Sequence, residues 1–198
     1  MFQKNSLLLL IVLCTVASKS KAQLGRRIDT TMKYTAAGYR VYTNNKSAEK
    51  NNITISLIGF SNTAHRDASF DVKGVVKGAA VDDFNNDGFP DMVVYVYSGK
   101  DAAMGTVIGI ASEKNESIHP IFFPDILDDA KLRTGYKGQD KFQLIEGTLM
   151  RSFPVFDTSD TTAVLKPLNI IRHIQYRVVS SENGGQKFKV LRTYETKL

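Results

Sequence analysis

The sequence predicts a mainly β fold: a single compact, antiparallel β-sandwich-like domain with at most one or two short helices. Short segments rich in β-branched and aromatic residues recur along the chain, and turn-forming residues separate them. Apolar and polar residues alternate strictly over residues 53–57, which indicates a strand with one buried face. Residues 92–97 are apolar throughout, which is typical of a central strand buried on both faces.

Eight segments carry this strand composition, and Asn or Gly residues lie at most of the boundaries between them. The last two segments are joined by Glu182-Asn183-Gly184-Gly185, whose turn chemistry predicts a closing hairpin. In chain order, the predicted strands cover residues 34–43, 53–60, 70–76, 92–97, 106–111, 142–150, 171–179 and 187–194.

One short helix is predicted over residues 125–133. Asp125 follows Pro124 and is a suitable N-cap, because its carboxylate can accept from the free N–H groups of the first turn. The acids of this segment are also placed to interact favourably with the dipole of a short helix, which is simpler than a second cation site.

The first 22 residues have the layout of a cleavable signal peptide. A charged start at Lys4 precedes an apolar core from Leu7 to Ala17, and small residues at Ser20 and Ala22 precede the expected cleavage point. We therefore expect a periplasmic or secreted protein with no integral membrane segment after cleavage. Residues 23–30 are predicted as a flexible N-terminal lead and residues 31–198 as one β-rich domain.

The charge and cysteine content of the exported part argue against a nucleic-acid-binding surface and against disulfides or thiolate metal sites. Removing the signal peptide takes away three lysines and no acid, so the formal charge falls from +6 to about +3, too little for a nucleic-acid footprint. The only cysteine, Cys14, lies in the signal peptide, so neither disulfides nor thiolate metal sites are expected in the domain.

An acidic turn with the pattern D-x-N-x-D-G-x-x-D stands directly before the central strand. Hard oxygen ligands at alternate positions, with a glycine that permits a sharp bend, suit calcium, and crowded carboxylates repel one another unless a cation neutralises them. We predict a structural calcium site, and its expected ligands are Asp83, Asn85, Asp87, the carbonyl of Phe89, and Asp91.

The turn does not belong to an EF-hand or to a β-propeller. An EF-hand would need glutamate at its twelfth position, which is Val94 here, and a strand rather than a helix follows. The strand–loop–strand arrangement resembles the FG-GAP-type calcium loops of integrin-like β-propeller repeats, but it occurs once, which excludes a propeller. The simpler alternative is a hairpin turn whose Asp and Asn side chains bond their own backbone.

No enzymatic site is predicted. His65, His119 and His173 are scattered and lack a second ligand at metal spacing, and no nucleophile–base arrangement or phosphate-binding loop is present. Asp140 and Glu146 could act as a hydrolase acid pair only in a cleft, which the sequence does not show.

Three blocks of sequence together resemble the bacterial periplasmic inhibitors of invertebrate-type (i-type) lysozyme. They are AAVDDFNNDGFPDMVVYVYSG, YKGQDKFQLIEGTLMRSFPVF and IIRHIQYRV, and the likeness covers residues 53–194. The resemblance implies a compact β-sandwich-like protein, exported to the periplasm, that inserts a loop into the active-site cleft of a lysozyme.

The resemblance assigns partner binding to the loop over residues 98–104. The family motif at this place is S-A-G-S-G-S-Y, whose second Ser and final Tyr enter the cleft. Here Ser98 matches the first Ser, whereas Asp101 and Met104 replace the two key residues, and Lys100 could reach acids in the cleft.

The two changes in the loop leave an alternative open. A calcium-stabilised secreted or envelope protein of structural or adhesive role would keep the scaffold and would not inhibit a lysozyme.

Overall fold

The computed structural model describes residues 26–61, 67–159, 166–182 and 184–198. The expected signal peptide and His65 lie outside these residues. Within the described ranges no helix is long and apolar enough to cross a membrane.

The described residues form two β-sheets, which confirms the mainly β fold. The first sheet is a four-stranded antiparallel meander in the order β1-β2-β3-β4. Its strands are β1 (Ile28–Tyr34), β2 (Ala37–Thr43), β3 (Lys50–Ile58) and β4 (Ala68–Lys73).

The second sheet has eight strands in the order β5-β6-β7-β8-β12-β11-β10-β9. All neighbours in it are antiparallel except β8 and β12, which pair in parallel over two residues of each strand. The strands are β5 (Val75–Asp82), β6 (Asp91–Ser98), β7 (Met104–Glu113), β8 (Ser117–Phe122), β9 (Lys141–Ile145), β10 (Thr148–Phe156), β11 (Pro167–Ser180) and β12 (Gln186–Lys197).

Strand β6 is buried on both faces, as its uninterrupted apolar run predicts. Met92, Val94 and Val96 pack with the first sheet in one core, whereas Val93 on the opposite face belongs to a second core. In the second core, side chains of β6 and β7 meet those of β10, β11 and β12, so the eight-stranded sheet folds back on itself. The result is three layers with β6 in the middle one.

Several predicted boundaries are corrected by the structure. Strand β1 begins at Ile28, inside the segment that the sequence predicts as a flexible lead, and pairs with β2 along its whole length. The predicted strand over residues 70–76 divides at Gly74, where a φ of 111° turns the chain from the first sheet into the second. An added Cβ there would collide with the backbone of Tyr97, which explains the glycine.

Three further differences lie in the second half of the chain. The predicted strand over residues 142–150 is a hairpin of β9 and β10, because Glu146 and Gly147 both have positive φ. Strand β8 was not predicted. In place of the predicted helix, only Ile126–Asp128 forms a 3-10 turn; the Asp125 cap is confirmed, because its carboxylate accepts from the Leu127 N–H at 2.9 Å.

Candidate functional site

The two loops that the sequence singles out lie at opposite ends of strand β6. The acidic turn leads into Asp91, the first residue of the strand, and the 98–104 loop starts from its last residue, Ser98. Eight residues of β-strand span roughly 23 Å. The two loops are therefore separate candidate sites joined by the most buried strand of the fold.

The acidic turn is closed by its own side chains. Asp83 accepts from the backbone N–H groups of Asp87 at 3.0 Å and of Gly88 at 2.8 Å. Asn85 also accepts from the Asp87 N–H and donates its amide to the second carboxylate oxygen of Asp87 at 2.9 Å. Asp87 in turn accepts from the Phe89 N–H. The side chains of Asp83, Asn85 and Asp87 thus converge inside the turn.

The donor set of this turn fits calcium. Three side chains offer hard oxygen atoms, and each carboxylate oxygen that accepts one N–H keeps lone-pair capacity for a cation. Across the described ranges, no three His, Cys, Asp or Glu side chains form a group that could hold a metal ion. A site here would accordingly use two carboxylates, the Asn85 amide oxygen and the carbonyl of Phe89.

Asp91, the last expected ligand, has a different position. Its side chain is fully buried, and its two oxygens accept from the N–H groups of Phe84 and Ser112, both at 3.0 Å. Burial raises the pKa of Asp91 to about 7, against the lowering effect of those two bonds, and the negative charges of Asp87 and Asp83 raise it further. Asp91 therefore ties the turn to the end of β7.

The turn is also tied to two other parts of the fold. The buried Tyr39 hydroxyl of β2 donates to the carbonyl of Pro90 at 2.7 Å, which links the turn to the first sheet. Asp82 accepts from the Gly147 N–H at 3.0 Å, which links it to the β9–β10 hairpin. The acidic turn and the adjacent Asp82 thus connect all three layers of the fold.

The 98–104 loop is a short, tightly bent connection. Ser98 and Met104 are paired across the start of the β6–β7 hairpin, and between them Gly99, Asp101 and Ala102 all have positive φ. Left-handed conformations at non-glycine residues are uncommon and persist only where the surroundings hold them.

The expected contact residues of this loop differ in exposure. Lys100 and Asp101 are exposed at the tip, and Ser98 and Met104 are half-buried at the base. Met104 packs against the second core, and its sulfur lies close to Gly138. The structure therefore presents the charged pair Lys100 and Asp101 to solvent and turns much of Met104 toward the protein.

A buried ionic network lies beneath this loop. The Arg151 guanidinium donates through Nε to Asp140 Oδ1 at 2.6 Å and through Nη2 to the Tyr136 hydroxyl at 2.8 Å. The Tyr136 hydroxyl donates to Asp140 Oδ2 at 2.5 Å. Arg151 and Asp140 have side-chain exposures of 3% and 0%. Burial alone would lower the pKa of Arg151, but the hydrogen bond and charge of Asp140 raise it.

The network holds the backbone of the loop in place. Asp140 Oδ2 accepts from the Gly105 N–H at 2.7 Å, and Arg151 Nη2 donates to the Gly105 carbonyl at 3.1 Å. The Ala103 carbonyl accepts from the Gln139 N–H at 2.6 Å. A side chain at Gly105 would strike Asp140 and Phe142, which explains the glycine. Hydrogen bonds to Asp140, Arg151 and Gln139 thus fix the end of the 98–104 loop that leads into β7.

Sequence reasoning missed Arg151, because the predicted strand ended at Met150. A signal was nevertheless present. Leu149, Arg151, Phe153 and Val155 alternate with outward positions, so an arginine stands where the pattern requires a buried residue. A buried arginine needs an acidic partner, and Asp140 lies on the segment leading into the adjacent strand β9.

The two described histidines both contact hydroxyl groups. His173 Nδ1 lies 2.9 Å from Ser152 Oγ and its Nε2 lies 3.0 Å from Thr196 Oγ1, so the second ring nitrogen meets a hydroxyl where a Ser-His-acid triad has a carboxylate. His119 Nε2 lies 2.8 Å from Glu113 Oε2 and 3.2 Å from Ser117 Oγ, so the acid and the hydroxyl meet the same ring nitrogen on an exposed hairpin. Hydrogen bonds from His119 and Ser117 lower the pKa of Glu113. A Ser-His-acid triad uses both ring nitrogens, so this cluster does not have that arrangement.

The chain matches no protein-family model, no curated protein and no solved structure. The resemblance to lysozyme inhibitors consequently depends on the three sequence blocks quoted above.

Proposed function

We propose that this protein is an exported bacterial binding protein that inhibits an i-type lysozyme with its 98–104 loop. The single observation that carries the proposal is the fixed loop itself, which bears two exposed charges on a backbone held by the Arg151–Asp140 network. A loop held in its bound shape loses little conformational entropy on binding, which favours insertion into a cleft.

Lys100 is the residue we expect to make the central contact. Its exposed ammonium group can pair with the carboxylates of a glycosidase cleft, which are the charges that such an enzyme needs for catalysis. Asp101, where the family has serine, would be repelled by the same carboxylates, so Asp101 is expected to face the rim of the cleft. Ser98 and Met104 would support the loop from its base.

Inhibition assays on cell walls test this proposal with purified i-type and chicken-type lysozymes. We expect the protein to inhibit the i-type enzyme alone. Lys100→Glu should weaken inhibition by about tenfold or more, because truncating or reversing an interface anchor costs more than about 1.4 kcal/mol. Lys33→Glu, at an exposed position of strand β1, makes the same charge change near the opposite end of strand β6, where Tyr39 contacts Pro90, and should leave inhibition unchanged.

Two results would contradict the proposal. One is the absence of inhibition of either lysozyme by the folded protein. The other is an equal loss of inhibition with Lys100→Glu and Lys33→Glu, which would trace the effect to net charge and not to the loop. Circular dichroism of both variants establishes that the fold is kept.

We further propose that the acidic turn binds one calcium ion through Asp83, Asn85, Asp87 and the Phe89 carbonyl, with Asp91 bracing the turn from below. The convergence of the three side chains supports this assignment. The ion would neutralise the turn that connects the three layers. Its role would be structural, because the side chains that would hold the ion also accept from the backbone N–H groups of the turn.

Calcium binding is expected to stabilise the fold. With an affinity of about 10⁻⁴ to 10⁻³ M, typical of extracellular modules, 10 mM calcium should raise the free energy of unfolding by about 1.5–3 kcal/mol. Thermal unfolding in calcium and in chelator measures this difference. Asp87→Ala should abolish it, whereas Asp128→Ala, at an exposed position outside the turn, should keep it. An unfolding midpoint indifferent to chelator would leave the turn as a plain hairpin.

The calcium-stabilised envelope protein of structural or adhesive role remains the second candidate function. The observation that favours it is the position of Met104, which is packed toward the core where the family has a protruding tyrosine. A protein that responds to calcium and inhibits neither lysozyme would support this second function.

A further inference from the structure

The outward face of strands β9–β12 carries a group of cations that the proposed inhibitory loop does not use. Inward residues of these strands, such as Leu149, Phe153 and Ile174, fill the second core. Alternation places their neighbours on the opposite face of the sheet. The outward cations, all of them exposed, are Lys141, Arg177, Lys187, Lys189 and Arg192.

Acids are excluded from the same face. Glu195 is the one acid within these four strands, and it points to the inner side, where it pairs with Arg172 at 2.8 Å. Glu146 and Glu182 lie in the two hairpin turns at the margin of the sheet. We define the outward surface of β9–β12 as the basic face.

Folding does not require this concentration of charge. Arg177 and Lys189 stand directly opposite each other on β11 and β12, and like charges in that position destabilise a sheet. None of the five cations forms a salt bridge with another described residue. An anionic partner would relieve this repulsion.

The aromatic residues beside the cations favour a sugar polymer over nucleic acid. His173 stacks on Tyr194 at 4.8 Å, and Arg192 lies over the Tyr194 ring at 4.9 Å, so this ring is already covered. Phe122 is 63% exposed and pairs in register with Lys187, which places a free apolar ring beside a cation. One free ring suits a single sugar face, whereas single-stranded nucleic acid is bound by successive stacking rings.

A shallow groove continues from this ring. It is lined by Pro120, Phe122, Ser181, Gly185, Gln186 and Lys187. Hydroxyl, amide and ammonium groups are thus next to an apolar surface, a combination that suits the mixed polar and apolar faces of a sugar ring.

We propose that the basic face binds an acidic polysaccharide, with the negative groups of the polymer along Arg177, Lys187, Lys189 and Arg192 and one sugar ring against Phe122. Neighbouring strands are about 4.8 Å apart and alternate residues about 6.8 Å apart along a strand. Arg177 lies opposite Lys189 on the neighbouring strand, and Lys187 is the next outward residue along β12, so these three cations are close enough for one polymer chain to contact all of them. This surface is distinct in its residues from the 98–104 loop, so each proposal stands or fails without the other.

Dextran sulfate and uncharged dextran form a matched pair of probes for the intact protein. We expect binding to dextran sulfate, weakening as salt rises, and none to dextran. Lys187→Gln with Lys189→Gln should weaken binding about tenfold, since each exposed ion pair contributes up to about fivefold. Lys33→Gln with Lys73→Gln removes the same charge from exposed positions of the first sheet and should have no such effect.

Three results would overturn the proposal. The first is a failure of dextran sulfate to bind, and the second is an equal weakening by both double variants, which would indicate an effect of net charge. Tighter binding of single-stranded DNA than of dextran sulfate, with the same dependence on Lys187 and Lys189, would assign the face to nucleic acid.

Discussion

Replacing Arg151 by methionine is expected to lower the free energy of unfolding by about 3–5 kcal/mol, because it leaves the buried Asp140 charge without its partner. The Tyr136 hydroxyl and the Gly105 carbonyl would also lose a donor. Denaturant unfolding measures the loss. The 98–104 loop should loosen as well, so lysozyme inhibition should fall although no residue of the loop has been changed.

A double-mutant cycle separates the ion pair from simple packing. Asp140→Leu combined with Arg151→Met replaces both charges by apolar side chains, and such replacement of a buried pair is often close to neutral. We expect the double variant to lose less stability than the two single losses added together. Some loss should remain, because the Gly105 N–H would lack its acceptor. Strict additivity would show that the two charges do not interact.

In chelator, stability is expected to fall as the pH rises from about 4 to about 7, because of Asp91. Burial raises the pKa of this carboxyl in the folded protein to about 7, above its unfolded value near 4. The folded state therefore holds a proton that the unfolded state releases. This contribution is complete below pH 4 and is lost as the pH passes 7, a change on the order of 4 kcal/mol.

Asp91→Asn provides the control, because asparagine does not titrate. The difference in stability between the protein and this variant should vary with pH, and a constant difference would contradict the assignment. Measurements between pH 5 and 8 stay above the range in which Asp29 and Asp71, whose pKa values are lowered by Arg40 and Lys50, gain protons. Calcium should reduce the pH dependence, because a nearby cation favours the charged form of Asp91.

Strand β6 shows why part of the fold could be predicted. A strand that is apolar at every position can bury all of its side chains only between two layers, and the structure places one hydrophobic core on each side of β6. The β11–β12 hairpin is a second example, since its turn residues define it locally. Such features depend on neighbours in sequence, which local patterns record.

Two of the predicted strands are each divided into two strands in the structure, and only one or two residues in the sequence mark each division. Gly74 and the Glu146–Gly147 pair each end one strand and begin another, and the chain changes direction there through positive φ. Composition alone joins the flanking segments into one strand. Strand β1 was missed because its exposed and half-buried positions alternate, so that it resembles a polar lead until it pairs with β2.

For the candidate site, the acidic turn was recognised from its spacing, because its side chains bond to backbone groups within five residues. The hydrogen bonds of Asp91 could not be predicted from this spacing, because one of its two donors, the N–H of Ser112, lies on β7. Met104 belongs to the loop that the resemblance assigns to partner binding, but its side chain is half-buried against the second core, close to Gly138.

The sequence by itself determined the class of fold, the central strand and the acidic turn, because alternation, continuous hydrophobicity and turn chemistry act between neighbouring residues. Only the tertiary structure decided which charges are buried and which are left outside. Arg151 and Asp140 are 11 residues apart, and they become partners where β10 passes beneath the 98–104 loop. Lys189 faces Arg177 because the β11–β12 register aligns them. Both pairings follow from the packing and register of strands, which a local pattern does not contain.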